Sequence, residues 1–432
     1  MSKHHVFGNT LLAGAGPAAI QIAVHLSKGW STKLALYNRH GSHASRMAEE
    51  LHHSQNIVKL TVQGDHDRRL SGSAVIERLY DNPKDIDDIW ETLILCTPCD
   101  QYHDVLKKLG AADWQKLRTV ILISPNIGSN DLVRHCLRNP EVISFSSYYG
   151  ATKLTNSESV ISAYTKALKK RIYIGSSNEM SKMVPNVQRF LKSFNVEGIA
   201  VRDPVTAECK NITTYVHPPL FLNDFSLNEI LRPVSAHQKF MYKLYPEGPI
   251  TQYTIRSMVR LWKEISSLVE HLGAEPVNLL QFLNDDNYPV PEESLSRDDI
   301  ERFKEFNEVK QEYLLYIRYS SILIDPFSAP DERGRYFEFS AVPYRKIGKN
   351  ELGQWTVPRI PHEDYRKLKV IYGLAQKAGL SMPESTALLQ GYERHIHDFA
   401  KHYGKHKVSL EIFKDTWSHD IEAIASERMC NT

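Results

Sequence analysis

No run of about 20 apolar residues occurs anywhere in the 432-residue chain, which excludes a helical membrane span. Cysteine is scarce: five residues, an odd number, cannot build a disulfide framework in so long a chain and fit a reducing compartment. Net charge is scarce too. Fifty-three Lys and Arg against 51 Asp and Glu leave +2, too little to drive nonspecific nucleic-acid binding. No basic run carries the interleaved aromatics that track a phosphate backbone. Internal repeats and low-complexity tracts are missing. The start, MSKHHVFGNTLLAGAG, lacks the long apolar segment and small-residue cleavage site of a secretory signal. What remains is an ordinary globular composition, 42% hydrophobic and 24% charged, in a chain long enough for two domains. The expectation is a soluble cytoplasmic protein that binds neither nucleic acid nor membrane.

Short apolar runs at 11–13, 33–37, 92–96, 120–124 and 142–146 alternate with helix-like stretches such as 18–27 and 45–52. That alternation predicts a doubly wound parallel sheet covered on both faces, a Rossmann-type α/β domain. One more strand signal, 171–174, precedes a helix-like stretch at 182–194. Beyond residue 202 the pattern becomes helical. Ile255, Met258, Leu261, Trp262, Ile265, Leu268, Val269 and Leu272 share one face, and Gly273 follows where a helix C-cap belongs. Further helical patterns span 298 to about 324, 363–379 and 384–403. The expected division is a nucleotide-binding domain over 1–200 and a mainly α-helical substrate or catalytic domain over 201–432.

The sharpest local signal is Leu11-Leu12-Ala13-Gly14-Ala15-Gly16-Pro17-Ala18-Ala19-Ile20-Gln21. It reads strand, then G-x-G-x-x-A, then helix, the context a dinucleotide fingerprint needs. Gly14 permits the tight turn and Gly16 lets a pyrophosphate approach. Ala15, Pro17 and Ala18 complete the turn and open the helix, whose N-terminal N–H groups face the phosphates. A ligand-free glycine turn is the bland alternative. An NAD site usually carries an acid at the end of the second strand, about 20 residues on; this chain has Asn38-Arg39, then His43 and Arg46. Arg39 can fork onto a 2′-phosphate, which favours NADPH, or simply open a solvated helix.

Cys96-Thr97-Pro98-Cys99 has C-x-x-C spacing but ends a strand, without a second pair or a nearby His to close a zinc set. A place lining the nicotinamide side of the crevice suits Thr97 and its neighbours better, and no resident metal is expected. Among 19 histidines, His217 stands out in Tyr215-Val-His217-Pro218-Pro219. The two prolines are expected to stop any helix and hold the ring at an irregular turn, where it can move a proton near neutral pH. A packed structural histidine fits the same pattern equally. Asp325, after an apolar helix, can orient His217 across space or cap and face solvent.

Several stretches together resemble the opine metallophore dehydrogenases of the staphylopine and pseudopaline type. They are Gly14–Gln21, VILISP at 120–125, VISFSSYYG at 142–150, YVHPPLFLNDFSL at 215–227, YKLYPEGPIT at 242–251, VNLLQF at 277–282 and ILIDPFS at 322–328. The resemblance implies a Rossmann domain joined to a helical opine-dehydrogenase domain. It also implies NADPH, a homodimer, and reductive condensation of an amino-acid-derived amine with a 2-oxo acid (pyruvate or 2-oxoglutarate). The family's catalytic His falls on His217 and its adenosine-phosphate Arg on Arg39, with His43 in place of the accompanying Lys. Tyr148, Asn223 and Asp224 in the matching segments, and Lys153 just beyond one of them, are candidate substrate contacts. One departure is plain: the family's Asp after the tyrosine-rich strand is replaced by Ala151. Another two-domain NADP-dependent reductase of oxo or hydroxy acids, or a non-catalytic NADPH sensor, are the competing functions.

Overall fold

Runs of four or five residues with hardly a polar side chain must lie where both faces of a sheet are covered. The first half of the chain is built on such strands. The computed structural model describes residues 5–64, 69–234, 237–322, 334 and 340–429. The chain forms two compact units, 1–210 together with 423–432, and 211–422, against an expected boundary after residue 200.

In the first unit the strands are β1 (Asn9–Ala13), β2 (Lys33–Tyr37), β3 (Ile57–Val62), β4 (Gly72–Val75), β5 (Arg78–Tyr80) and β6 (Thr92–Leu95). They continue as β7 (Thr119–Leu122), β8 (Glu141–Phe145), β9 (Gly150–Leu154), β10 (Ser162–Leu168), β11 (Arg171–Ser176) and β12 (Glu197–Ala200). Its helices are α1 (Pro17–Leu26), α2 (Ser42–His53), α3 (Tyr102–Leu109), α4 (Ser129–Cys136), α5 (Met183–Lys192) and α6 (Pro204–Glu208). The main sheet has the order β5-β2-β1-β6-β7-β8-β11-β12, parallel throughout except for β8 against β11. Strand order reverses between β1 and β6, where Ala13 lies level with Leu95 on one side and Tyr37 on the other. The Rossmann-type reading holds.

A second sheet, β4-β3-β10-β9, is absent from the sequence reading. β3 alternates buried and exposed positions, β9 half-buried and exposed ones, and the sheet packs against α1. Every α1 residue from Ala19 to Leu26 is therefore buried, including Gln21 and His25. Gln21 Oε1 accepts from the hydroxyls of Tyr148 and Thr152. His25 reaches the Tyr149 hydroxyl at 3.3 Å and the Leu70 carbonyl at 3.2 Å.

The second unit is mainly helical: α7 (Ile212–Phe221), α8 (Asp224–Leu231), α9 (Gln252–His271), α10 (Leu279–Asp285), α11 (Arg297–Glu301), α12 (Glu308–Ser321), α13 (Arg359–Lys377) and α14 (Pro383–Tyr403). The apolar face expected from Ile255 to Val269 is buried along α9, and Gly273 takes a left-handed φ of +77° just beyond it. The single helix expected over 298–324 is instead α11, a short turn and α12. Asn307 accounts for the break by capping α12, its side chain accepting from the Lys310 N–H. Prolines 218 and 219 do not stop a helix either; both lie inside α7, which packs on α9 and α13. No described helix is long and apolar enough to cross a membrane.

Candidate active site

Gly14 leaves β1 with φ +104°, a conformation that side chains other than glycine rarely adopt. A methyl there would come within 3.1 Å of Cys96 backbone and the Thr97 side chain. Gly16 differs. Its φ of −89° suits any residue, and a methyl on it would meet nothing within 4 Å. The fold therefore does not demand glycine at 16, whereas a ligand seated on the turn would. No side chain caps α1 and no acid lies in its first turn, so its N–H groups keep their affinity for an anion. Thr97 Oγ1, on the segment that follows β6 across the strand reversal, is buried with no hydrogen-bond partner among the described residues. A bare N-terminus, an open glycine and an orphaned hydroxyl together fit a diphosphate and its flanking riboses.

Around that turn the other candidates separate. Arg39 is exposed past the end of β2, and its guanidinium makes no hydrogen bond or ion pair among the described residues. Nearby basic groups are engaged: His40 Nδ1 lies 3.0 Å from Asp81, and Arg46 holds Glu50 and the Ser157 carbonyl. His43 Nε2 lies 3.1 Å from the Ala15 carbonyl, so the imidazole braces the glycine turn. Ala18 opens α1, half-buried, next to buried Ala19. Tyr148 is spent on Gln21, which ties the second sheet's approach to α1. Lys153 is exposed on β9, its ammonium 5.9 Å from the Tyr164 ring, and Ala151 is exposed on the same strand. Cys96 and Cys99 form no disulfide; burial pushes the Cys96 thiol far above its ordinary range, which makes it a poor nucleophile.

In the second unit, His217 occupies the middle of α7. Its Nδ1 lies 3.0 Å from Oδ1 of Asp364 on α13, and Phe221 stands edge-on to the ring with centroids 4.9 Å apart. The side chains are 13% and 5% exposed, so the pair is sheltered yet the imidazole keeps an open edge. A carboxylate on Nδ1 fixes the tautomer and leaves Nε2 to exchange a proton. Asp364 was not legible beforehand. It lies 147 residues from His217 inside an ordinary amphipathic helix, with no local motif to mark it. Asp325, expected in that role, lies outside the described residues. Asn223 serves the fold. It caps α8 through Ser226 N–H and donates to the carbonyls of Pro219 and Leu220 that end α7. Asp224 is exposed at the start of α8, 3.6 Å from His395.

The family model described as staphylopine dehydrogenase matches residues 8–428. Pseudopaline synthase of Pseudomonas aeruginosa is 45% identical over 398 residues, 91% of this chain and 90% of that protein. Staphylopine synthase of Staphylococcus aureus is 37% identical over 388 residues, 89% of each chain. Among solved structures, yersinopine dehydrogenase with NADP+ bound has a TM-score of 0.91 at 33% identity, covering 99% of this chain and 100% of that one. Matches that run through the glycine turn, His217 and Asp364 alike leave no unit unassigned: the chain belongs to the staphylopine dehydrogenase family and is a dehydrogenase of the opine type.

Proposed function

We propose that this enzyme is an NADPH-dependent opine metallophore dehydrogenase. It joins an amino-acid-derived primary amine to a 2-oxo acid, pyruvate or 2-oxoglutarate, and yields a staphylopine-like secondary amine. The observation that carries the chemistry is the His217–Asp364 pair at 3.0 Å, a proton-handling dyad on two packed helices. The pseudopaline and staphylopine synthases at 45% and 37% identity support the product class.

The first unit would hold the cofactor: Gly14, Ala15, Gly16, Pro17 and Ala18 at the diphosphate, Thr97 beyond the strand reversal, and Arg39 on the 2′-phosphate. His43 would act there by bracing the turn. When bound, NADPH supplies the hydride. The second unit would supply the proton chemistry. Condensing an amine with a ketone expels one water, so a proton must leave the attacking nitrogen and another must reach the departing hydroxyl. His217 Nε2 can do both, while Asp364 holds the ring in register and offsets its positive charge. Tyr148 and Asn223 act through the elements they tie, and Lys153 and Asp224 are the candidates whose charged ends are exposed. The same reading makes the enzyme a cytoplasmic homodimer. Four cysteines without a disulfide among the described residues suit a reducing compartment, and the dimer follows from the family resemblance.

Loss of NADPH absorbance tests this reading, with each oxo acid alone and with a panel of amino-acid-derived amines, the product being identified by mass. Oxidation should require both substrates and give the secondary amine. Equal rates without any amine would instead select the hydroxy-acid reductase.

A further inference from the structure

Asp364 has two carboxylate oxygens, and only one of them meets His217. The other, Oδ2, is buried and accepts no hydrogen bond among the described residues. An ionised carboxylate with one bare, buried oxygen is costly, by more than an ordinary hydrogen bond is worth. A second orphan lies on the facing helix. Pro218 has no N–H, so the Thr214 carbonyl four residues earlier is deprived of its helical donor. Between the two helices is a recess of about 10 Å³, lined by Thr213, Thr214, Pro218, Asp364, Lys367 and Leu368. That is the room of a single water molecule. Thr214 lines the same recess, and among the described residues its hydroxyl is not committed to another side chain. Thr213 is already committed to Asn211, at 2.8 Å, and the Lys367 ammonium to Glu363, at 2.7 Å.

We infer that this recess binds one ordered water that completes the coordination of Asp364, with Thr214 and Pro218 as positioning residues for the dyad. Such a water can donate one hydrogen to Asp364 Oδ2 and the other to the Thr214 carbonyl, and accept from the Thr214 hydroxyl. Both orphans are satisfied together, and the Thr214 hydroxyl fixes the water's position. The arrangement gives a physical reason for proline directly after the catalytic histidine: the missing N–H leaves the Thr214 carbonyl open to the water. It also gives the second carboxylate oxygen a partner, so Asp364 is held in place as the acceptor for Nδ1–H of His217. The inference rests on the reading of His217 as the proton-transfer group.

Two measurements on the full-length enzyme test it. A high-resolution crystal structure should show a solvent peak within hydrogen-bonding distance of Asp364 Oδ2 and Thr214; a dry recess overturns the inference. In kinetics, Thr214→Val keeps the shape but removes the hydroxyl, and kcat should fall about ten-fold with KM for both substrates and NADPH affinity unchanged. Thr214→Ser should restore most of the rate. Wild-type kcat in Thr214→Val counts against the inference. So does a loss that Thr214→Ser does not rescue and that tracks a lower melting temperature. A fast His217→Ala enzyme would bring down the reading of His217 itself, a failure that the solvent peak and the Thr214 pair register separately.

Discussion

Gly14 and Gly16 sit on one turn but do different work, and a methyl group separates them. At Gly14, φ of +104° and a 3.1 Å approach to Cys96 and Thr97 mean that Gly14→Ala strains the backbone itself. It should cost roughly 1–3 kcal/mol of stability. At Gly16 the backbone is permissive and the space open, so Gly16→Ala should melt within a degree or two of the native enzyme. Its NADPH affinity should nevertheless fall at least ten-fold, because the methyl stands where the diphosphate must approach. Melting temperature and NADPH titration on both variants check the contrast; a Gly16→Ala enzyme with native affinity removes the turn from the cofactor site. His217 invites the same separation of stability from chemistry. His217→Ala should lower turnover about 10²–10⁴-fold while NADPH binding holds. Asp364→Asn keeps the shape but not the charge, so its turnover should lie between the two. Equal melting losses in both variants, with activity following the folded fraction, would make the pair structural.

The elements most readily read from the sequence were those whose periodicity has one physical cause. β1, β2, β6, β7 and β8 are nearly all apolar because both their faces are covered, and α9 shows one clean stripe because one face packs. The second sheet escaped because β3 and β9 carry charged, polar or small residues at alternate positions, and β9 buries none of its residues fully, a pattern easily taken for loop. α7 was misread for a different reason. Proline rules describe an isolated helix, whereas α7 is held on two sides by α9 and α13 and tolerates two missing donors. Its partner, Asp364, could not be found at all, since only folding brings α13 to it. α13 also carries a measurable pH signature. Burial, aided by Arg366, pushes the His362 imidazole down to about 4. Burial opposes ionisation of Glu363, but Lys367 and Arg359 outweigh it and hold that carboxyl down to about 2. Between pH 6.5 and 4 the unfolded chain thus binds a proton at His362 that the native chain refuses, so stability is full above 6.5 and falls as pH drops. From 4.5 toward 2, Glu363 adds a loss of the same sign. Denaturant unfolding across this range should show the His362 step as roughly 3 kcal/mol. His362→Gln, which can still meet the Tyr392 hydroxyl now 2.8 Å from Nδ1, should flatten it. An unchanged slope in that variant would mean that His362 is protonated in the native enzyme.

For the molecule as a whole, the division into two compact units has a thermodynamic consequence. Arg39 belongs to the first unit and His217 to the second. In the proposed reading the glycine turn and Arg39 would hold the cofactor's phosphates, which take no part in bond making, whereas His217 would move protons at the amine nitrogen and the departing hydroxyl. Groups that share no partner contribute additively. Arg39→Ala should weaken NADPH binding about ten- to a hundred-fold, the worth of one charge-assisted contact, and leave NADH binding nearly untouched. At saturating NADPH its turnover should be close to normal. His217→Ala should do the reverse, slowing turnover with affinity intact. The double variant should then show the NADPH affinity of the first and the turnover of the second, with an interaction energy below about 0.5 kcal/mol in either quantity. A full double-mutant cycle, read by NADPH titration and by steady-state rate at saturating cofactor, measures it directly. A large coupling would mean that binding at the adenosine end is spent on organising the dyad, because a remote phosphate contact raises turnover only when its binding energy is used in that way. In that case Arg39→Ala alone would already lower turnover at saturation, so the single variant and the cycle must agree.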